Sequence, residues 1–134
     1  MLFRSLERKA SRLSFSRNQT NSVLIGDFVS NLRLESNDLL GCLEVNAPTF
    51  ADLITVVGNT IATSAPTAIA LRGKLGTVRV MDNDVLASGG SGIVVNGATS
   101  GLVSGNNTLA CPSRDLVIED SIGVQVLDNV AALP

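Results

Sequence analysis

Three aspartates beside two similar bends are the residues of this sequence best suited to catalysis. Asp82 and Asp84 flank Asn83, and Asp128 precedes Asn129 in a stretch of the same pattern. If these stretches belong to two turns of a coiled chain with one further turn between them, Asp82 and Asp128 lie roughly 9 to 10 Å apart. The two carboxyl groups of an inverting glycosidase have a similar separation. These residues therefore predict, as an alternative function, a carbohydrate-active site.

A second group of polar residues recurs directly after a run of apolar residues. Arg72, Asn96 and Glu119 each follow such a run, so a coiled chain would align them in an outward polar column. The sequence contains no histidine, which excludes histidine-dependent triads and histidine metal sites. A hard cation needs several converging oxygen ligands, and the sequence does not gather enough acids in one place. We expect no metal and no cofactor.

The aspartates belong to a repeated unit that an asparagine marks. The markers are Asn37, Asn59, Asn83, Asn106 and Asn129, with Asn107 as an alternative to Asn106. Counted through Asn106, the spacings are 22, 24, 23 and 23 residues. A fixed period of this size is typical of a solenoid.

Each unit contains two short apolar runs separated by linking segments. One run precedes the asparagine, as in Val78 to Val80, and one follows it, as in Ile93 to Val95. Glycine, proline, serine and threonine fill the links at 62–67, 87–92 and 96–101 too densely for a helix. Each unit is therefore predicted to be strand, asparagine bend, strand and loop. Parallel coiling, with successive turns about 4.8 Å apart, explains the constant period.

The recurring asparagine has a structural explanation and a functional one. At a repeated bend, asparagine tolerates the left-handed backbone conformation and bonds to its own backbone. Amides stacked one turn apart also bond to one another in a ladder. We expect this turn ladder, and the functional alternative is a polar ligand surface beside Asn83, Asn106 and Asn107.

Two motifs resemble those of a known family of folds. They are Val-x-x-Asn-x-Ile, present from Val56 to Ile61, and Gly-Ile-Val-Val-x-Gly, present from Gly92 to Gly97. Together they resemble the repeats of right-handed parallel β-helices over roughly residues 20–134. The resemblance implies an all-β, right-handed parallel β-helix of about five rungs, each one turn of the chain of 22–24 residues. The family includes pectin-type lyases and hydrolases, phage tailspikes, adhesins and non-catalytic modules, so it implies a fold without choosing a function.

Composition agrees with a narrow aliphatic coil. The chain has 134 residues with four Phe and no Trp, Tyr or His, so one domain with an interior of Val, Ile, Leu and Ala is expected. The acidic, nearly aromatic-free coil is unsuited to nucleic acid, and no apolar run approaches the roughly 18 residues of a membrane span. Cys42 and Cys111 fall three rungs apart, about 14 Å, which predicts free thiols because a disulfide needs Cα atoms within about 7 Å.

The amino-terminal segment differs from the rest of the chain. Residues 1–17 carry five basic residues and one acid, for a net charge of +4, whereas the remainder carries −6. Apolar residues at 3, 6, 10 and 13 predict an amphipathic basic helix over 1–17, followed by the β-helix domain over 18–134. The helix would cap the open end of the coil, act as a targeting or membrane-surface segment, or dock to a partner. No continuous apolar region follows the charges, so a secretory signal is not expected.

These patterns favour a non-catalytic structural or interaction module. We expect a stalk or docking surface within a larger assembly such as a fibre, a tail or a cell-surface structure. The last strand, Val124 to Val126, is followed by a short tail, so the tail folds over the last rung, the chain is a piece of a longer protein, or a partner or another copy covers the end. Of these we expect a protein partner or self-association through an uncovered C-terminal rung. Polysaccharide is the alternative partner, and neither nucleic acid nor a membrane span is expected. The sequence does not specify a compartment, although a virion or the cell surface would suit such an assembly.

Overall fold

The apolar runs of the repeat form parallel β-strands that stack in successive turns of the chain, here called rungs. The computed structural model describes residues 3–6, 10–26, 29–108, 111–112 and 116–130. Within those residues every strand pairing is parallel and no helix occurs. The described part of the chain is therefore an all-β parallel solenoid of about five turns, as the repeat predicted.

Two sheets run along the coil. The strands in chain order are β1 (Phe3–Leu6), β2 (Ala10–Ser16), β3 (Gln19–Thr20), β4 (Ser22–Ile25), β5 (Val29–Glu35), β6 (Asp38–Leu39), β7 (Leu43–Val57), β8 (Thr60–Ala62), β9 (Thr67–Met81), β10 (Asp84–Ala87), β11 (Ser91–Ser104), β12 (Leu116–Glu119) and β13 (Val124–Leu127). Strands β3, β6, β8 and β10 form the smaller sheet, and the other nine form the larger one. Each strand pairs with strands one rung away, which places equivalent residues of successive repeats beside one another.

The interior consists of apolar columns that run parallel to the coil axis. One column contains Leu34, Val56, Val80 and Val103, paired in register and fully buried. Arg79, beside Val80 in the chain, is exposed. Neighbouring residues of a strand point to opposite faces, so this alternation sends aliphatic side chains inward and charged ones outward. Stacked side chains of similar size fill the narrow interior without aromatic residues.

The apolar runs that follow the asparagines form a second column. It contains Leu43, Ile69, Ile93 and Leu116, in the register that the repeat predicted. The first three are buried and Leu116, in the last rung, is partly buried. These two segments of the larger sheet, together with the short strands of the smaller sheet, enclose one aliphatic core, to which the smaller sheet contributes Leu39, Ile61 and Val85.

A glycine corner joins the two segments within one long strand. The predicted link at 96–101 is wrong, because those residues continue β11 with a shift of register between Asn96 and Ala98. Gly97 lies there with φ +91°, and a Cβ on it would collide with the carbonyl oxygen of Gly73 in the preceding rung. Glycine lets the backbone bend at close approach while the hydrogen-bonded ladder continues.

The predicted amino-terminal helix is wrong wherever the structure describes that segment. Residues 3–6 and 10–16 are strands β1 and β2, which pair in parallel with β4 and β5. Leu13 and Phe15 are half-buried and pack against the core, while Arg12 and Ser14 are exposed. This alternation has the strand period of two, and it stacks apolar residues on the next rung. Residues 1–2 and 7–9 of the predicted helix lie outside the described residues.

Candidate functional site

Six asparagines form a hydrogen-bonded ladder along one edge of the coil. They are Asn18, Asn37, Asn59, Asn83, Asn106 and Asn129. The contacts of Asn83 show the pattern: its Oδ1 accepts the backbone N–H of Asn59 at 3.0 Å and the Nδ2–H of Asn59 at 2.9 Å. Its own Nδ2 donates back to the carbonyl of Val56 at 3.0 Å and onward to Asn106 Oδ1 at 2.9 Å. The predicted turn ladder is confirmed.

Burial makes the ladder a structural element. Asn37, Asn59, Asn83 and Asn106 are all at most 2% exposed. Buried polar groups are costly unless they are hydrogen-bonded, and the ladder supplies partners for both atoms of each amide. The amides of Asn83 and Asn106 therefore face the interior and not a ligand surface.

The left-handed residue of each bend is the one before the asparagine. These residues are Arg17, Ser36, Gly58, Asp82, Gly105 and Asp128, with φ between 51° and 65°. The prediction that asparagine itself adopts this conformation is wrong. The preceding residue makes the sharp bend, which leaves the asparagine's backbone N–H and side chain aligned with the amide of the next rung.

The ladder also settles two points of register. Asn107 forms backbone bridges with Asp84 and Val130, so Asn106 is the marker and Asn107 belongs to the next column. Asn18 was missed as a ladder member, although its N–H and Nδ2 both donate to Asn37 Oδ1, at 3.0 and 3.1 Å. The sequence pattern that could have identified Asn18 is an apolar residue, Phe15, three positions before it. The spacing from Asn18 to Asn37 is 19 residues, which is shorter than the other spacings of the ladder.

The structure aligns two of the three candidate catalytic aspartates. Asp82, Gly105 and Asp128 occupy equivalent positions in three successive rungs, as the positions of their ladder asparagines require. A Cβ on Gly105 would collide with Asp82 Oδ1, which shows that the carboxylate of Asp82 lies over the glycine. Asp82 and Asp128 are both exposed. Only the glycine lies between them in the column.

Asp84 belongs to a different column. It lies on the other side of Asn83, in strand β10, and is half-buried. Its Oδ1 accepts a hydrogen bond from Asn107 Nδ2 at 3.0 Å, so this carboxylate is held by the next rung. The described residues contain no group of three His, Cys, Asp or Glu side chains placed to hold a metal ion.

Arg72, Asn96 and Glu119 form a column in register, with Asn46 extending it by one rung. Arg72 and Glu119 are exposed and Asn96 is half-buried. Asn96 Nδ2 donates a long hydrogen bond of 3.4 Å to Asp120 Oδ2. The column is thus a solvated polar stripe, and its use as a binding surface stays a prediction.

A groove lined by polar and apolar residues lies beside the first rungs. Its volume is about 370 Å³, and its lining includes Arg12, Ser14, Arg33 and Thr55. Arg33 Nε donates to Glu35 at 3.0 Å, and this hydrogen bond, helped by the opposite charge, lowers the pKa of the Glu35 carboxyl. The charge of the Arg33 guanidinium is therefore partly neutralised by the Glu35 carboxylate.

The last rung leaves apolar side chains uncovered. Ile122, Val126, Leu127 and Val130 are 76%, 46%, 51% and 52% exposed, whereas Val103, directly before Val126 in its column, is fully buried. Among the residues that the structure describes, strands β12 and β13 pair on one side only, with β11. Within the described residues, this end therefore presents an apolar, unpaired sheet edge.

Comparison with known proteins adds no relative. No protein-family model, no curated protein and no solved structure matches this chain.

In the part that the structure describes, no helix has the length and apolarity needed to cross a membrane. Cys42 is half-buried and Cys111 is buried, and both are thiols. The candidate functional features of the described residues are the column of Asp82 and Asp128, the column of Arg72, Asn96 and Glu119, and the apolar edge of the last rung.

Proposed function

We propose that this chain is a non-catalytic β-solenoid that serves as a rigid stalk or docking surface within a larger assembly. A fibre, a tail or a cell-surface structure would suit such a module. The observation that carries the proposal is the apolar edge of the last rung, which is unpaired within the described residues. A parallel sheet edge of this kind is a template on which another chain can add strands.

The body of the coil supports the same role. Its buried aliphatic columns and its asparagine ladder connect every rung to the next. Rungs that contact only their neighbours form a quasi-one-dimensional stack, whose length is set by the number of repeats. Such a stack holds its two ends at a fixed separation, which is what a spacer requires.

We also propose that the coil is right-handed, as in the β-helices that its motifs resemble. Connections between parallel strands of one sheet are right-handed in about 98% of cases, because right-twisted strands favour that crossover. The resemblance rests on the repeat motifs and the parallel register. It gives no support for a particular activity.

The docking proposal can be tested in extracts of cells that produce the chain. We expect the wild-type chain to migrate as a particle larger than its 13.9 kDa mass on native gels or in sedimentation. Val126→Lys should return it to the monomer position, because a charge at the open edge blocks strand addition. Leu86→Lys is the matched control, since Leu86 is 54% exposed on the side of a middle rung. Migration as a monomer, or a complex indifferent to Val126→Lys, would contradict the proposal.

A second candidate function is cleavage of a polysaccharide. It rests on the alignment of Asp82 and Asp128, two rungs apart with only Gly105 between them in the column. Two rungs correspond to about 9.6 Å, close to the separation of the carboxyl groups in inverting glycosidases. A general acid and a general base at this distance leave space for the attacking water.

The cleavage candidate is tested by incubation of the purified chain with neutral and anionic polysaccharides. We expect release of reducing ends, or of unsaturated products for a lyase, to depend on Asp82. Asp82→Ala should reduce turnover at least about 100-fold, the smallest contribution typical of a general acid or base. Asp52→Ala, an exposed acid outside this column, is the control. Failure to cleave any of the substrates ends this candidate.

A further inference from the structure

We propose that the two ends of the coil bind each other, so that copies of this chain stack head to tail. The inference rests on the proposed docking function and names its partner as a second copy. Three features of the end rungs support it: the polarity of the asparagine ladder, the register of the apolar columns and the charge at each end.

The ladder has a donor end and an acceptor end. Within the described residues, nothing accepts the backbone N–H of Asn129, and its Nδ2 bonds only to the carbonyl of Val103. At the opposite end, no described group donates to Asn18 Oδ1. Between rungs inside the chain, an asparagine N–H and Nδ2 both donate to the Oδ1 of the next asparagine. Asn129 of one copy can therefore make with Asn18 of the next the bonds that Asn83 makes with Asn106.

A further hydrogen bond follows from the same repeat. In each inner rung, the asparagine Nδ2 also donates to the carbonyl of the apolar residue in the preceding rung, as Asn106 does to Val80 at 2.8 Å. Within the described residues no rung precedes that of Asn18, and its Nδ2 bonds to the nearby Ser16 carbonyl instead. At a head-to-tail junction the equivalent acceptor is the carbonyl of Val126. The junction would thus complete the pattern for both end asparagines.

The apolar columns match across the junction as well. Leu13 and Phe15 occupy the inward positions of the first rung, and Val124 and Val126 occupy the same positions in the last. Val126 is 46% exposed, and Leu13 and Phe15 are partly buried. Placing the first rung of one copy on the last rung of another would bury these residues as every inner rung is buried.

Charge at the two ends is complementary. Among the described side chains, Arg12 and Arg17 give the first rung a positive charge, whereas Glu119, Asp120 and Asp128 give the last rung a negative one. Arg17 and Asp128 occupy the same position of the bend, directly before Asn18 and Asn129, and both are exposed. A head-to-tail junction places Arg17 of one copy over Asp128 of the other. A junction between two C-terminal ends would instead oppose donor to donor and acid to acid.

This geometry produces an open series and not a closed pair. Each copy would be related to the next mainly by translation along the coil axis, so that both outer ends stay available for further copies. Sedimentation velocity of the purified chain should therefore show monomer, dimer, trimer and larger species whose average size increases with concentration. Added salt should reduce association, because it screens the charges that bring the ends together.

Charge reversal at the paired positions is the decisive experiment. Arg17→Asp should weaken association about tenfold, because it replaces an attraction with a repulsion. Aspartate already occupies this left-handed position at Asp82 and Asp128, so the substitution suits the backbone. Asp128→Arg should act similarly, and the double variant Arg17→Asp/Asp128→Arg should return association to within about threefold of the wild type. Arg79→Asp, exposed on a middle rung, is the control and should leave association unchanged.

The outcomes separate this inference from the proposed function. Circular dichroism and urea midpoints equal to the wild type will show that each variant is folded. A purified chain that stays monomeric, a closed dimer, or a double variant as weak as the single ones would overturn head-to-tail stacking. If a Val126-dependent complex still forms in extracts, the docking function stands and its partner is a different protein. If that complex is also absent, both proposals fail.

Discussion

Val80 and Val126 are the same residue type at the same position of the repeat, and they have opposite environments. Val80 lies between Val56 and Val103 and is fully buried, whereas Val126 pairs with Val103 on one side and is 46% exposed. The asparagine ladder shows the same contrast between Asn83, bonded on both sides, and Asn129, bonded on one. In this fold, the burial of a residue is conferred by the neighbouring rungs. Substitutions in the middle of the coil should therefore cost much more than the same substitutions at its end.

The largest contrast is expected for the ladder. Asn83→Ala should lower the free energy of unfolding by about 4 kcal/mol, because it leaves the N–H and Nδ2–H of Asn59 and the carbonyl of Val56 unsatisfied in the interior. Asn129→Ala should cost only about 1 kcal/mol, since water reaches the last rung. Urea denaturation followed by circular dichroism measures both. Equal costs would mean that the ladder does not depend on burial.

The glycine corner should give the next largest difference. Gly97 and Gly123 both have positive φ, but a Cβ on Gly97 collides with the Gly73 carbonyl, whereas one on Gly123 has no atom closer than 3.5 Å. Gly97→Ala should cost about 3 kcal/mol, from the backbone conformation together with the collision. Gly123→Ala should cost about 1 kcal/mol, from the conformation alone. Thermal unfolding of the two variants would test this, and a similar loss in both would remove the role of close stacking.

The valine column provides a smaller contrast that isolates apolar burial. Val80→Ala should destabilise the chain by about 2 kcal/mol through lost contacts and a cavity. Val126→Ala should change stability by less than about 0.5 kcal/mol in dilute solution, where the last rung is uncovered. If copies stack head to tail, Val126→Ala should also weaken association at high concentration. Urea midpoints at two protein concentrations distinguish the two effects.

The exposed ion pair of Arg33 and Glu35 should have the smallest effect. The hydrogen bond from Arg33 lowers the folded-state pKa of the Glu35 carboxyl, so the pair stabilises the chain above the unfolded-state pKa of Glu35. That stabilisation is lost as pH falls through the lowered folded-state pKa. Glu35→Gln should therefore differ slightly from the wild type at pH 7 and not at all in strong acid. A difference that increases as the pH falls would contradict this sign.

The sequence predicted the parts of the fold that depend on repetition. The spacing of Asn59 and Asn83 predicted the period, and the apolar run Val78 to Val80 predicted a parallel strand; both are confirmed. The amino-terminal rung was not predicted, because residues 1–17 match a helical spacing as well as a strand alternation. The pairing of β2 with β5 selects the strand, since it adds backbone hydrogen bonds and stacks Leu13 on Leu32.

The candidate site was less predictable than the fold. Sequence spacing placed Asp82 and Asp128 in one column, but it also grouped Asp84 with them. In the structure, Asp84 lies in a different column and accepts a hydrogen bond from Asn107. Asp82 and Asp84 are each one position from Asn83, but they lie on opposite sides of the bend. Their spacing along the chain does not show that their side chains belong to different columns. The role of Arg17 at the first bend became visible only when Asn18 joined the ladder.

The amino-acid sequence by itself determined the repeat: two short apolar runs and one asparagine in each rung. These choices are local, because side-chain alternation and bend preference act over a few residues. Tertiary structure alone decided which positions are buried and how many ladder hydrogen bonds each described asparagine makes, because both depend on the rung above and the rung below. It also gave the two ends their opposite hydrogen-bonding polarity, since every rung donates from its asparagine in the same direction along the axis.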